Sequence, residues 1–352
     1  MEAASLPAAR PSPLAAVRGA LSRFGLMALL LALPVFYAIQ DLSTEGDLSR
    51  LGNNLVDGLS NGAIWALVAI GYTLVYGIIE LINFAHGEVF MIGSFISAGF
   101  FGTVGLTAAT GPLGLVVGLL LTLVLAMVGT GVLNVMIERV GYRPLRGAPK
   151  LAPLITAVGF SFILQNVGLL WRGGSPQGIV DVIESQSILL TIGGVEITNG
   201  DVLALGVTIP LVALMTAFIT RSRLGKAMRA TAQDPDAARL MGINVDTTIS
   251  LTFLIGGMLA GAAGLIYLLY QTTIWYFQGF TAGLIAFTAA VMGGIGNIRG
   301  AVLGGFIIGI IQQVSDNRIG SSWTPAIVFA YLVLIMVFKP SGLLGEQTRE
   351  AG

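Results

Sequence analysis

The chain has 352 residues, 55% of them hydrophobic and 10% charged, with a mean hydropathy of +0.87. Soluble domains carry roughly 25% charged residues, so a water-soluble enzyme is excluded. Eighteen basic and eighteen acidic residues give zero net charge, which argues against a basic nucleic-acid surface. With no cysteine and one histidine, His86, disulfides, thiolate chemistry and Cys/His zinc sites are also excluded.

A membrane-spanning helix needs about 20 mostly apolar residues, and the charges of this chain bracket uncharged runs of about that size. In chain order they contain 17 residues (24–40), 22 (58–79), 49 (89–137), 21 (151–171), 19 (202–220), 52 (247–298), 16 (300–315) and 20 (319–338). The 49-residue run accommodates two spans with a turn at Gly111-Pro112, and the 52-residue run two with a polar break around 271–278. This gives ten candidate segments. The expected architecture is an all-α polytopic membrane bundle of about 8–10 transmembrane helices. The first segment competes with a secretory signal, because Arg10, Arg18 and Arg23 precede an apolar core, but no small-x-small cleavage site follows it. The glycine-rich pair at 281–315 also suits re-entrant half-helices.

Orientation follows from the distribution of Lys and Arg. An amino terminus in the cytoplasm and ten alternating spans place fifteen basic residues inside and three outside, Arg50, Arg172 and Arg318. Both termini are expected in the cytoplasm, with residues 1–50 forming a tail, first span and short outer loop, 51–345 the main domain, and 346–352 a second tail.

Two cytoplasmic segments stand out. Residues 138–146 are short and basic, and read equally as a topology anchor or a partner contact. Residues 221–248 contain Asp234 as an N-cap, Pro235 at the first helical position, Asp236 in the first turn, Arg239 near the end and Gly242 as a stop. They predict a short helix, Pro235 to Met241, lying off the membrane. So short a helix is marginal in water, and its apolar Ala238, Leu240 and Met241 point to docking on a cytoplasmic partner. Outside, residues 172–200 form the one sizeable loop, where Leu189–Ile192, Gly193-Gly194 and Val195–Thr198 read as a β-hairpin. Gly114/Gly118, Gly257/Gly261, Gly300/Gly304 and Gly305/Gly309 have the spacing that lets helices approach closely.

Enzymatic motifs are lacking. Gly294-x-Gly296-x-x-x-Gly300 has the wrong spacing for a dinucleotide fingerprint, and Leu224-Gly225-Lys226-Ala227 lacks the first glycine and the hydroxyl of a phosphate loop. The chain therefore has no ATPase of its own. No charge falls at the centre of a run; Asp57, Glu80 and Glu88 bound them, which disfavours ion coupling through a buried carboxylate. The remaining polar groups are Asn54, Asp57 and Asn61, which share one helix face by spacing, Asn83 and His86 between the second and third spans, and Gln165 and Asn166 within the fifth. They read either as interhelical hydrogen bonds or as the lining of a translocation path.

Several of these stretches together resemble the membrane permeases of bacterial branched-chain amino acid ABC importers. They are Gly71–Gly77 with Ile82–Glu88, Tyr142–Arg146, Leu164–Asn166, Gly225–Ala230 continuing through Gln233–Asn244, and Ala290–Gly296. They span about residues 52–345 in order. The resemblance implies a multi-pass inner-membrane permease subunit that moves leucine, isoleucine and valine by alternating access, without a cofactor of its own. It also implies a second related permease, two cytoplasmic ATPases that bind the ATP, and an extracytoplasmic binding protein. On this resemblance the ATPase-coupling residues are Gly225, Lys226, Arg229, Asp234, Pro235, Asp236, Arg239 and Gly242. Related permeases carry urea, short amides or other amino acids, so those substrates remain alternatives. An ion-coupled secondary transporter, an intramembrane enzyme and a structural scaffold are the rivals from other classes.

Overall fold

The computed structural model describes residues 31–44, 46–149 and 151–345. The expected cytoplasmic tails, the basic residues at 10, 18 and 23, and the start of the expected first span lie outside the described residues. Residues 31–44 are helical (α1). The helices that follow are α2 (Ser49–Ile79), α3 (His86–Val104), α4 (Pro112–Ile137), α5 (Leu151–Arg172), α6 (Asn199–Arg221), α7 (Arg223–Gln233), α8 (Pro235–Leu240), α9 (Val245–Gln271), α10 (Gln278–Gly293), α11 (Ile298–Arg318) and α12 (Thr324–Phe338). α4 continues through a π turn, Glu138–Tyr142, and a 3₁₀ turn, Arg143–Leu145. Among the described residues eight of these helical stretches are long and apolar enough to cross a membrane: α2, α3, α4 with its extension, α5, α6, α9, α11 and α12 with the preceding turn. The protein is a polytopic helical bundle.

α2 and α9 form the centre, with 83% and 72% of their most apolar stretches buried, against 17% for α6. α3, α10 and α11 pack around them, while α4, α5, α6 and α12 turn apolar faces outward. This sorting follows from side-chain size. With lipid on the other side, helices gain little from burying more apolar surface and associate where small residues let backbones touch. A Cβ on Gly309 would stand 2.3 Å from Gly62 Cα, and one on Gly305 2.6 Å from Ala66 Cα, so α11 lies directly on α2. Gly257 and Gly261 are pressed against α4 in the same way, at Thr130 and Ala126, and Gly300 and Gly304 against α10. The fourth spacing fails. Gly114 meets nothing nearer than Thr110 in the preceding loop, and Gly118 meets Leu106, so that pair joins no two helices.

The 52-residue run holds one span and not two. α10 has 16 residues, about 24 Å at 1.5 Å per residue, short of the roughly 30 Å hydrocarbon core. α11, with 21 residues, is long enough. α1 ends in a buried ion pair: Arg318 Nη2 donates to Asp41 Oδ2 at 2.5 Å and its guanidinium stands 5.1 Å over the Tyr37 ring.

The expected hairpin is present as β2 (Ile188–Ile192) and β3 (Val195–Thr198), joined by Gly193 and Gly194 at φ +58° and +82°. It is tied to the start of α2, where Glu196 N–H donates to Asn53 Oδ1 at 2.8 Å. Thr198 then caps α6 in a capping box with Asp201. A second antiparallel pair, β1 (Gln177–Gly178) with β4 (Thr273–Ile274), fastens the same loop to the end of α9. Its two-residue strands are too short to leave a periodic signal.

Candidate functional site: the membrane path and the α7–α8 segment

The segment after α6 folds as two helices. Ser222 ends α6 and caps α7, its Oγ accepting from Gly225 N–H at 2.9 Å. Gly225 lies so close to the Ile219 carbonyl that a Cβ would be 2.1 Å from its oxygen. Arg229 reaches back to donate to the Ile219 and Thr220 carbonyls, placing a cation on the electronegative end of α6. α8 starts as its caps dictate: Asp234 Oδ1 accepts from the Asp236 and Ala237 N–H groups, both at 2.9 Å, and Pro235 supplies the first turn. The helix runs to Leu240 with the expected Met241 as its C-cap, whose N–H still donates to the Ala237 carbonyl at 3.0 Å, and Gly242 turns the chain at φ +83°. Ala238 is buried, whereas Leu240 and Met241 are 89% and 83% exposed. Of the eight expected coupling residues, Gly225, Arg229 and Asp234 therefore hold the segment's own shape. Lys226, Pro235, Asp236, Arg239 and Gly242 face outward.

Two arginines of the basic stretch at 138–146 are taken up within the protein. Arg143 donates to Asp246 Oδ2 at 2.9 Å, and Arg146 pairs with both Asp246 and Glu138. Glu138 is fully buried and also accepts from Ser250 Oγ at 2.7 Å. Asp246 follows Asn244, the N-cap of α9, which in turn follows α8. These contacts tie the α7–α8 segment to the C-terminal end of α4.

Asn54, Asp57 and Asn61 do share one face of α2, and that face is filled by α11. Asn54 Oδ1 accepts from Asn317 at 2.6 Å, Asp57 Oδ2 from Gln313 at 3.3 Å, and Asn61 donates to Gln313 Oε1 at 2.9 Å. Asn61 Oδ1 also accepts from Gln271 at 3.3 Å, and Trp65 donates to Gln312 at 2.6 Å. Asp57 is not a boundary residue. Because α2 begins at Ser49, it lies more than two turns inside the helix; an uncharged run shows where charges stop, not where the helix starts.

The link between α2 and α3 also departs from a simple cytoplasmic loop. His86, at the start of α3, packs on Gly71, eight residues before the end of α2, which is about 12 Å along its axis. Residues 80–85 therefore turn back into the bundle. Asn83 is buried there, donating to Asn134 Oδ1 at 3.2 Å and accepting from Tyr142 OH at 3.2 Å, while Asn134 donates to the Phe253 carbonyl at 2.7 Å. The His86 ring meets Tyr72 edge-on at 4.8 Å.

From the other side the chain re-enters after α9, so the first turns of α3 and α10 meet inside the bundle at Gly87, Gly279 and Gly283. Glu88 occupies this junction, fully buried. Its Oε1 accepts from Ser161 at 3.0 Å and Gln165 at 2.9 Å, both on α5. Its Oε2 and the nearby Gln278 Nε2 have no hydrogen-bond partner among the described residues. Two helix N-termini and two donors are the physical reason a carboxylate is tolerated there. Glu88 is a buried junction residue that its position at the edge of an apolar run concealed. Gln165 and Asn166, adjacent in sequence, separate: Gln165 faces this junction, and Asn166 is exposed on the outer face of α5, donating to the Phe162 carbonyl at 2.8 Å.

The profile of the family described as branched-chain amino acid transport system / permease component matches residues 54–337. The chain belongs to that family. It is 41% identical to the high-affinity branched-chain amino acid transport system permease protein BraD of Pseudomonas aeruginosa over 294 residues, 83% of this chain and 95% of that one. It is 40% identical to LivH of Escherichia coli K12, a permease protein of the same description, over 83% of this chain and 94% of the relative. A more distant likeness, 28% over 198 residues, links 54% of this permease to 56% of the autoinducer 2 import system permease protein LsrC of E. coli. No solved structure matches the chain significantly.

Proposed function

We propose that this permease is the inner-membrane subunit of an ATP-driven importer for leucine, isoleucine and valine. The observation that carries this reading is its likeness to BraD and LivH over 94–95% of their lengths, two proteins named for branched-chain amino acid transport. In this reading the permease performs no chemistry and has no ATPase site. It pairs with a second permease, receives substrate from a binding protein on the hairpin side, and meets two ATPases through α7 and α8.

The exposed Leu240 and Met241, flanked by Asp236 and Arg239, support α8 as the ATPase contact. The bonds from Asp246 to Arg143 and Arg146 supply a route by which displacement of α8 would reach α4 and α9. Gln165, Asn166, His86, Asn83 and the Asn54–Asn61 face contribute to the translocation path; as the outward polar group of α5, Asn166 faces the second permease. Glu88, with a free oxygen at the junction of α3 and α10, is added to them as the group that meets a substrate ammonium when α5 moves.

Uptake of labelled leucine in cells lacking the gene, with and without its restoration, tests the substrate. Loss and rescue, with competition by isoleucine and valine but not by urea or short amides, is the expected result. Unchanged leucine uptake, once a redundant importer has been excluded, would reassign the permease to another solute. The partial likeness to LsrC makes a different small solute the second reading.

A further inference from the structure

We propose that a groove between α4 and α9 binds an anionic phospholipid of the inner leaflet, with its phosphate at Arg139 and Arg143 and one acyl chain along the two helices. The leaflet rests on the orientation and permease reading above; the groove itself does not. It is a cavity of about 460 Å³ at the end of the bundle that carries α7 and α8.

Its composition changes along the helix axes in the way a lipid changes. The part farther into the membrane is walled by Val132, Val135 and Met136 of α4 and by Leu254 of α9. Val132 and Met136 are 51% and 57% exposed, and Arg139 continues the same face one turn on. Val132 and Arg139 are seven residues apart, about 10 Å along the axis, so an acyl chain and its phosphate could contact both ends at once.

The rim is cationic. Arg139 and Arg143 stand there with Asp246, and Asp246 is held by Arg143 and by Arg146 behind it. Arg139 has no ion-pair or hydrogen-bond partner among the described residues. The groove therefore presents one uncompensated positive charge, and the N-terminus of the 27-residue α9 opens onto the same rim beside Asn244 and Thr247. An apolar slot ending in arginines at headgroup level fits a phosphodiester with a hydrocarbon chain. A purely apolar helix would leave Arg139 unsatisfied, and a soluble anion would leave the slot empty.

Native mass spectrometry of the full permease, released from mild detergent with equal added amounts of phosphatidylglycerol, phosphatidylethanolamine and phosphatidylcholine, reads the selectivity directly and needs no transport activity. The expected result is one retained phosphatidylglycerol, with retention falling about tenfold in Arg139→Gln, the loss of one charge-assisted contact. Arg223→Gln removes an equal charge from α7, outside the groove, and should leave retention unchanged. Val132→Trp fills the slot and should abolish retention, and should do so with Arg139 intact. Equal retention of the three lipids, or equal effects of Arg139→Gln and Arg223→Gln, would overturn the proposal. Displacement of the bound lipid by inorganic phosphate, with Val132→Trp without effect, would overturn it in favour of a simple anion site. Loss of the lipid on assembly with a second permease would overturn it in favour of a protein-covered groove.

Discussion

Glu88 and Gly279 define how closely two helix N-termini approach inside this bundle. A Cβ at position 279 would lie 2.0 Å from Glu88 Oε2 and 2.9 Å from Glu88 Cα, so α10 reaches α3 only because residue 279 has no side chain. Gly279→Ala must push the carboxylate or the helix aside. Overpacking of this kind costs about 1–3 kcal/mol, and the expected outcome is a lower midpoint of thermal unfolding in detergent. An unchanged midpoint would mean that the two first turns are not in contact.

The bonds from Glu88 to Ser161 and Gln165 fasten α5 to α3. Glu88→Gln keeps an acceptor in place and should preserve assembly, with uptake reduced if the charge serves the substrate. Glu88→Ala leaves the buried Ser161 hydroxyl without its acceptor and Gln165 Nε2 with only its 3.3 Å bond to Ser161 Oγ, at a cost of about 1–3 kcal/mol. Unfolding measured on the two variants should therefore separate them by that amount; identical stabilities would show that the α5 contact is made elsewhere.

At the end of the bundle that carries α7 and α8, Arg146→Ala removes the partner of fully buried Glu138, which among the described residues then faces only Ser250. Breaking such a pair costs about 3–5 kcal/mol. Glu138→Gln in the same chain removes the stranded charge and should recover a substantial part of that loss. A double-mutant cycle that finds the two changes additive would exclude the pairing.

The charge swap Asp236→Lys with Arg239→Glu tests α8. Both side chains are more than half exposed, and a surface pair of this kind contributes at most about 1 kcal/mol, so the permease should remain folded in the membrane. ATPase co-purification and uptake should both be lost. Retention of both would mean that the ATPases dock elsewhere.

Glycine substitutions should divide by contact. Gly257→Leu would drive a side chain into the Thr130 carbonyl, 2.6 Å from the Cβ position, and should prevent folding. Gly206→Leu in α6 meets nothing within 4 Å and should give normal yield. Expression and size-exclusion profiles of the two variants decide this, and a normal profile for Gly257→Leu would place that face in lipid.

Much of this architecture is local and therefore legible in the chain. Apolar runs become spans because backbone polar groups in lipid have to be satisfied within a helix, and α8 starts where Asp234 and Pro235 place it because a cap acts on the next three residues. The hairpin forms at Gly193-Gly194 because both positions require positive φ. The family, too, is written in the order of its motifs. What the tertiary structure decided are relations between distant segments. Gln165 and Asn166 are neighbours in sequence, yet one is buried and the other exposed, because only Gln165 looks toward α3. Glu88 and Asp57, read as boundary charges, lie inside the bundle because α2 begins before its uncharged run and because α3 starts about 12 Å back along α2. The arginines at 143 and 146 take up Glu138 and Asp246 from two directions, and the stretch around 278 re-enters as a short helix although its composition suits a full span. Periodicity assigns a residue to a face, but what that face meets is set by contacts with segments as far as 77 residues away for Glu88 and Gln165 and 263 for Asn54 and Asn317, and the close glycine approaches that bring those segments together exist only in three dimensions.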